Sequence, residues 1–84
     1  MNTKIVQVAA LQSSCSDSQF ANLDQSVHQI RMAADQGAEL ICLQELFQNR
    51  YFCQTEDHRQ FELAESIPGR TSQTMADLAN ELNV

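Results

Sequence analysis

Two short apolar segments, separated by one helical pattern, constrain the fold of this chain more than any other feature. Residues 4–11 (KIVQVAAL) are nearly continuously apolar, and residues 39–44 (ELICLQ) hold a second, shorter run. Buried parallel strands have such sequences. Between the two segments, apolar residues recur with helical spacing: Phe20, Leu23, Val27, Ile30 and Ala34. The pattern predicts a β-α-β unit with parallel strands and a right-handed crossover.

Residue types near the ends of this helix predict where it starts and stops. Ser16, with Gln19 three residues later, fits a capping box, and Cys15 and Phe20 occupy the positions of a hydrophobic staple. Gly37 follows the last apolar position and suits the left-handed conformation that often closes a helix. We therefore expect the helix to begin near Ser16 and to end before Gly37.

The second half of the chain is less regular. After residue 45 no clear period appears until a turn at residues 67–70 (IPGR), after which Thr71 or Ser72 can cap a second helix. The apolar face of that helix is expected to comprise four residues: Met75, Leu78, Ala79 and Leu82. Residues 81–84 (ELNV) are predicted to end the helix and to begin a third strand.

The predicted elements leave apolar surface uncovered. Domains commonly hold about 100–150 residues, whereas this chain has 84. Parallel strands need a layer on both faces, and the predicted helices cover only one. We therefore expect residues 1–84 to be the incomplete N-terminal part of a single larger α/β domain.

Charge and hydropathy argue against two classes of function. The formal net charge is -6, and the five basic residues are scattered, whereas nucleic-acid binding needs them clustered. No segment approaches the about 18–20 apolar residues of a membrane span, and the N-terminus lacks the apolar length and cleavage site of a signal peptide. Three cysteines, an odd number, favour free thiols in the reducing cytoplasm over a disulfide framework.

Glu45 is the residue best placed for chemistry. It follows the second apolar run directly, and ligands of open parallel sheets bind outside the carboxyl ends of the strands. A carboxylate there can act as a general base. The alternative is an ordinary loop glutamate at the end of a strand.

The cysteines and histidines give weaker indications. Cys53 would need a base within hydrogen-bond reach to act as a nucleophile, and Glu45 is near in sequence; otherwise Cys53 packs as a small apolar residue, as we expect of Cys15 and Cys42. No metal-ligand spacing relates the candidate ligands: Cys15, Cys42, Cys53, His28 and His58. We expect neither a metal nor another cofactor.

Four segments, in this order, resemble the N-terminal part of the nitrilase (carbon–nitrogen hydrolase) superfamily. They are VAALQSSCSD, ANLDQSVHQIRMAADQGAELICLQELF, YFCQ and LAESIPGRTSQTMADLANELNV, and they span essentially the whole chain. LQELF and YFCQ are the more specific pieces and are most similar to the N-carbamoylputrescine amidase branch.

This resemblance implies the N-terminal portion (β-α-β-loop-α) of an α-β-β-α sandwich that assembles into dimers or larger oligomers. It also implies a Glu-Lys-Cys catalytic set, in which Glu45 is the general base and proton acceptor, and an aromatic substrate-pocket residue at Tyr51. The implied reaction is the hydrolysis of a small carbamoyl amine, N-carbamoylputrescine, to putrescine, ammonia and carbon dioxide, a step of polyamine biosynthesis.

The lysine and the nucleophilic cysteine implied by the resemblance have no counterpart here. The only lysine is Lys4, in the first predicted strand, and Cys53 matches a structural cysteine. Because such groups act as a unit, the 84 residues are expected to be inactive alone. Two other hypotheses stay open: a non-catalytic fragment that pairs with an intact homologue, and a freestanding small α/β binding domain.

Overall fold

A computed structural model describes residues 4–50 and 64–84 of the chain. In these ranges the elements follow in the order β1 (Val8–Ala10), α1 (Gln19–Asp35), β2 (Leu40–Cys42) and α2 (Arg70–Leu82). This confirms the predicted α/β class and the order of its elements. Each strand comprises only three residues of the apolar segment that predicted it.

The two strands form a parallel pair, as predicted. Their register is Val8–Leu40, Ala9–Ile41 and Ala10–Cys42. Backbone hydrogen bonds extend the pairing at both ends, because the Glu39 N–H donates to the Gln7 carbonyl at 2.9 Å and the Leu11 N–H donates to the Cys42 carbonyl at 2.8 Å. The loops that follow β1 and β2 therefore start at the same edge of the sheet.

Only one face of this sheet is covered by the described residues. Ala9 and Ile41 are half-buried, whereas Val8 is 62% exposed and Leu40 is 60% exposed. This agrees with the expectation that the predicted helices leave one face of the sheet uncovered. The physical reason is that neither described helix covers the face that bears Val8 and Leu40.

The first helix starts two residues later than predicted. Its N-cap is Ser18, whose hydroxyl accepts the Ala21 N–H at 3.2 Å from an extended backbone conformation. Phe20, expected on the buried face, is 69% exposed, and the Arg70 guanidinium lies 4.5 Å from its ring centroid. The serine that caps α1 is therefore the one adjacent to the helix, and Ser16 is free for another role.

The end of α1 is a Schellman motif, as Gly37 predicted. Gly37 has a φ of 99°, its N–H donates to the Ala34 carbonyl at 2.9 Å, and the Ala38 N–H donates to the Ala33 carbonyl at 3.0 Å. Because a left-handed conformation carries no steric penalty for glycine, this residue turns the chain from α1 into β2.

We expect Gly37→Ala to destabilise the protein by about 1–2 kcal/mol, the cost of a left-handed conformation for a residue with a Cβ. Thermal unfolding of the full gene product at a fixed scan rate measures the loss. Gly37→Asn is the matched comparison, since asparagine tolerates this conformation better, and it should lose less. Equal unfolding midpoints for Gly37→Ala and the parent would contradict the assignment.

The core lies between the two helices and under the sheet. Its buried apolar residues are Leu23, Ile30, Ala33, Ala38 and Leu78. An exposed ion pair between Arg31 and Glu81 also links α1 to α2, and the hydrogen bond from Arg31 lowers the pKa of the Glu81 carboxyl. As predicted, the apolar face of α2 is turned inward: Leu78 is buried, and Met75, Ala79 and Leu82 are half-buried.

The start of α2 differs from the prediction. Gly69 is the N-cap, and Ser72 Oγ accepts its N–H at 2.8 Å. Because Gly69 has no side chain to accept a helix N–H, the Glu65 carboxylate accepts the Thr71 N–H at 2.7 Å. This second bond lowers the pKa of Glu65.

At the other end, Asn83 adopts the left-handed conformation and the Val84 N–H donates to the Ala79 carbonyl at 3.1 Å. These are the features of a Schellman-type helix end. The prediction that α2 ends within residues 81–84 is therefore confirmed. No strand begins within these four residues, because Asn83 and Val84 form the closing turn of α2.

Candidate active site

A cleft lies at the carboxyl edge of the sheet, between the loops that follow β1 and β2. Its volume is about 490 Å³. The lining residues come from these two loops only: Gln12, Ser13, Ser14, Cys15, Gln44, Glu45, Leu46, Asn49 and Arg50. Open parallel sheets bind their ligands at this edge, so the cleft is in the expected place for a site.

Glu45 contributes a carboxylate to this cleft. It is exposed and stands in the turn that begins shortly after β2 ends at Cys42. Of the cleft-lining residues that the structure describes, Glu45 is the only acidic one and Arg50 the only basic one. Arg50 bonds to the loop after β1, because its Nε lies 3.3 Å from an Asp17 carboxylate oxygen and donates to the Cys15 carbonyl at 3.3 Å. Glu45 can therefore accept a proton from a group bound in the cleft.

Gln44 ties the two cleft loops together. Its Oε1 accepts the Ser13 N–H at 2.7 Å, and its Nε2 donates to the Leu46 carbonyl at 3.0 Å. These partners also determine which end of the amide is oxygen, since an N–H can only donate and a carbonyl can only accept. The side chain thus bonds to backbone groups in both loops.

Cys15 lies in the same cleft but is engaged with the backbone. Its thiol is within hydrogen-bond distance of the Phe47 carbonyl at 3.3 Å and of the Leu46 carbonyl at 3.5 Å. The nucleophilic form of a cysteine is the thiolate, which would place its negative charge against these carbonyl oxygens. The arrangement suits Cys15 for holding the loop after β2, in keeping with its predicted packing role.

Asn22 is a buried polar residue that the sequence pattern did not reveal. It is 2% exposed, and its Oδ1 accepts the Ser16 N–H at 2.8 Å and the Ser16 hydroxyl at 3.1 Å. Its Nδ2 donates to the Ser16 carbonyl at 2.9 Å and to the Gln48 carbonyl at 2.7 Å. One side chain on α1 therefore joins the loop after β1 to the loop after β2.

Helical spacing offered a signal that could have identified this residue. Asn22 and Ser26 lie four residues apart and continue at helical spacing into Ile30 and Ala33, all on the buried face. A search for apolar residues alone overlooks the two polar members, although a polar residue on a buried face is the more informative observation.

A second cavity, of about 510 Å³, lies between β1 and α1. It is lined by backbone and by apolar or amide side chains: Gln7, Val8, Ala9, Ala10, Leu11, Gln29, Met32, Ala33, Gln36 and Ala38. None of these residues can act as an acid, a base or a nucleophile. The cleft that contains Glu45 is therefore the better candidate for an active site than this second cavity.

The chain is similar in sequence to known proteins of one family. The family model described as carbon-nitrogen hydrolase matches residues 7–84. The chain belongs to the carbon–nitrogen hydrolase family. It is 40% identical to an N-carbamoylputrescine amidase of Solanum lycopersicum over 82 residues, 96% of this chain and 27% of that relative. The N-carbamoylputrescine amidases of Solanum tuberosum and Oryza sativa subsp. japonica are each 39% identical, over 96% and 94% of this chain and 27% of their own lengths.

The resemblance is therefore to the N-terminal part of these amidases, and the chain spans about a quarter of the length of the curated relatives it matches. No solved structure matches it. The remaining three quarters of the relatives have no counterpart in the 84 residues.

The structure of this carbon–nitrogen hydrolase chain locates some of the site residues that the sequence predicted, but not all of them. Glu45 lies in the cleft, whereas Tyr51, Cys53 and His58 lie outside the described residues. Cys42, expected to pack, is exposed at the end of β2, because its side chain belongs to the uncovered face of the sheet.

Two further findings concern metal ions and membranes. Within residues 4–50 and 64–84, no group of three or more His, Cys, Asp and Glu side chains is placed to hold a metal ion. In the same residues, neither helix has the length and apolar content needed to cross a membrane. The expectation that the protein uses no cofactor stays a prediction.

Proposed function

We propose that residues 1–84 are the N-terminal part of a single carbon–nitrogen hydrolase domain that hydrolyses N-carbamoylputrescine, with Glu45 as its general base. The observation that carries the proposal is the position of Glu45, the only acidic residue described in a cleft at the carboxyl edge of a parallel sheet. The 40% identity with a named amidase over nearly the whole chain supports the choice of substrate.

In this proposal a cysteine and a lysine come from sequence outside the 84 residues. Glu45 removes the proton of the cysteine thiol, and the thiolate adds to the carbamoyl carbon. The bond from the carbamoyl carbon to its terminal NH2 breaks, and ammonia leaves with a proton returned by Glu45. Glu45 then takes a proton from water, whose oxygen adds to the same carbon. The carbon–sulfur bond breaks, and Glu45 returns the proton to the cysteine sulfur. The carbamate that remains loses carbon dioxide to give putrescine.

Charge supports an amine as the substrate. The chain carries a net charge of -6, and the carboxylate of Asp17 neutralises Arg50 at the cleft. A negatively charged protein favours the approach of a cationic carbamoyl amine, and Glu45 itself is assigned only to proton transfer at the carbamoyl group. Tyr51 is proposed to contribute an aromatic wall to the same pocket.

Location and assembly are part of the same proposal. Cys15 and Cys42 are free thiols, as expected of a protein of the reducing cytoplasm. We also propose that the complete enzyme is a homo-oligomer.

We expect the purified 84-residue chain to release no ammonia from N-carbamoylputrescine, because a base without its nucleophile loses nearly all of the rate. An ammonia assay at micromolar chain, with the full gene product as positive control, measures this. Ammonia release by the 84-residue chain that disappears in Glu45→Gln would refute the expectation.

The uncovered sheet face supports a second candidate function. Val8 is 62% exposed and Leu40 is 60% exposed, and exposed apolar patches commonly mark interaction surfaces. The chain would then be a non-catalytic piece that pairs with an intact homologue. Co-elution with the homologue, or a change in its activity on mixing, distinguishes this function; neither effect would argue against it.

A further inference from the structure

The turn that carries Glu45 is held by side chains. Three consecutive carbonyls of this turn accept hydrogen bonds from side chains: Leu46, Phe47 and Gln48. The donors are Gln44, Cys15 and Asn22, in that order. These residues belong to neither a helix nor a strand. Hydrogen bonds from side chains therefore hold the backbone of the turn, as backbone hydrogen bonds do in helices and strands.

Gln44 makes the bonds nearest to Glu45. Its Nε2 donates to the carbonyl of Leu46, the residue after Glu45, at 3.0 Å. The peptide units on both sides of Glu45 therefore belong to one short hydrogen-bonded loop. The other end of the amide accepts the Ser13 N–H at 2.7 Å, which ties this loop to the opposite wall of the cleft.

The Cys15 side chain reinforces the contact. Gln44 Nε2 lies 3.9 Å from the Cys15 sulfur, and Cys15 reaches the same Leu46 carbonyl at 3.5 Å. Gln44 is half-buried, so water competes for its bonds less than it would for an exposed amide.

We propose that Gln44 is the positioning residue for Glu45: it fixes the backbone of the turn against the loop after β1, and so directs the carboxylate to the reacting proton. The proposal rests on the proposed role of Glu45 as general base. Gln44 itself transfers no proton. Its effect is on the rate of the chemical step, because general bases lose efficiency steeply when they are displaced from the proton they accept.

Two substitutions separate the two ends of the amide. Gln44→Glu keeps an oxygen for the Ser13 N–H but loses the donor to Leu46, and it adds a negative charge beside Glu45. Gln44→Met is similar in length and loses both bonds. Gln25→Glu is the matched control, because Gln25 is exposed on α1 and the change adds the same charge away from the cleft.

The experiment uses the full gene product and two measurements. With N-carbamoylputrescine as substrate, we expect kcat to fall by about 10-fold or more in both Gln44 variants, with KM changed by less than about 3-fold. In Gln44→Glu the acidic limb of the pH–rate profile should also move to higher pH, since a neighbouring negative charge disfavours the ionised base. Gln25→Glu should match the parent in all three respects.

Amide hydrogen exchange gives a readout independent of activity. In Gln44→Met we expect faster exchange at Ser13 and in residues 46–48, and in Gln44→Glu the Ser13 amide should keep its protection. Faster exchange with an unchanged kcat would overturn the positioning role. Unchanged exchange in Gln44→Met would overturn the contact itself.

An error in the proposed function can be distinguished from an error in the role of Gln44. If the parent gene product releases no ammonia from N-carbamoylputrescine, the proposed function is wrong, and the exchange pattern alone decides whether Gln44 holds the Glu45 turn. Protection lost in Gln44→Met then supports that contact, and protection retained refutes it.

Discussion

Glu45→Gln in the full gene product is expected to lower kcat/KM for N-carbamoylputrescine by about 10³-fold or more. The amide is nearly the same size as the carboxylate but cannot accept a proton, and general-base catalysis contributes about 10²–10⁴-fold. The base is used for the thiol and again for the attacking water, so both half-reactions slow. KM should change little if Glu45 acts mainly on the transition state. Steady-state ammonia release measures both constants.

Glu39→Gln is the matched control for this experiment. Glu39 is also exposed, but it stands just before β2, at the opposite edge of the sheet from Glu45. The same change of charge there should leave kcat/KM within about 2-fold, as for most surface substitutions. A Glu45→Gln enzyme that retains the activity of the parent would remove Glu45 from the mechanism. Equal losses in both variants would point to net charge instead.

Asn22→Ala is expected to destabilise the full gene product by about 2–3 kcal/mol. The change removes every hydrogen bond that the 2%-exposed side chain makes to Ser16 and Gln48. Buried groups that lose a partner cost about 1–3 kcal/mol each, although water can reach the exposed Ser16. The better helix propensity of alanine offsets less than about 1 kcal/mol of this loss. Thermal unfolding at a fixed scan rate reports the change.

Asn80→Ala controls for helix propensity, because Asn80 is exposed on α2. We expect that substitution to be neutral or slightly stabilising. Asn22→Asp separates the two ends of the side chain, since it keeps the acceptor for the Ser16 N–H and loses the donor to Gln48. It should remain less stable than the parent. If Asn22→Ala and Asn80→Ala unfold at the same temperature, the Asn22 bonds contribute no stability.

The order of elements followed from the sequence because its causes are short-range. Short, nearly continuous apolar runs predicted both strands, and apolar residues at helical spacing predicted both helices. Gly37 marked the end of α1 through the conformation that only glycine adopts easily. The helix starts were less accurate. Ser16, Ser18 and Ser72 are all capping residues by type, and the sequence does not show which hydroxyl meets a free N–H.

The end of the chain shows the same limit. The sequence predicted that residues 81–84 end α2, as they do, and that they also begin a third strand. Asn83 instead takes the left-handed conformation and closes α2. The choice depends on which carbonyls the last N–H groups reach, and the Val84 N–H reaches the Ala79 carbonyl.

The sequence by itself determined that this is an α/β chain of the carbon–nitrogen hydrolase type, with Glu45 just beyond the second strand. Only the tertiary structure decided what surrounds Glu45. Gln44 bonds to a residue 31 positions away, and Asn22 bonds to a carbonyl 26 positions away. Such partners are brought together by parallel pairing and by the packing of α1, and an amide side chain is equally suited to solvent until those neighbours are in place.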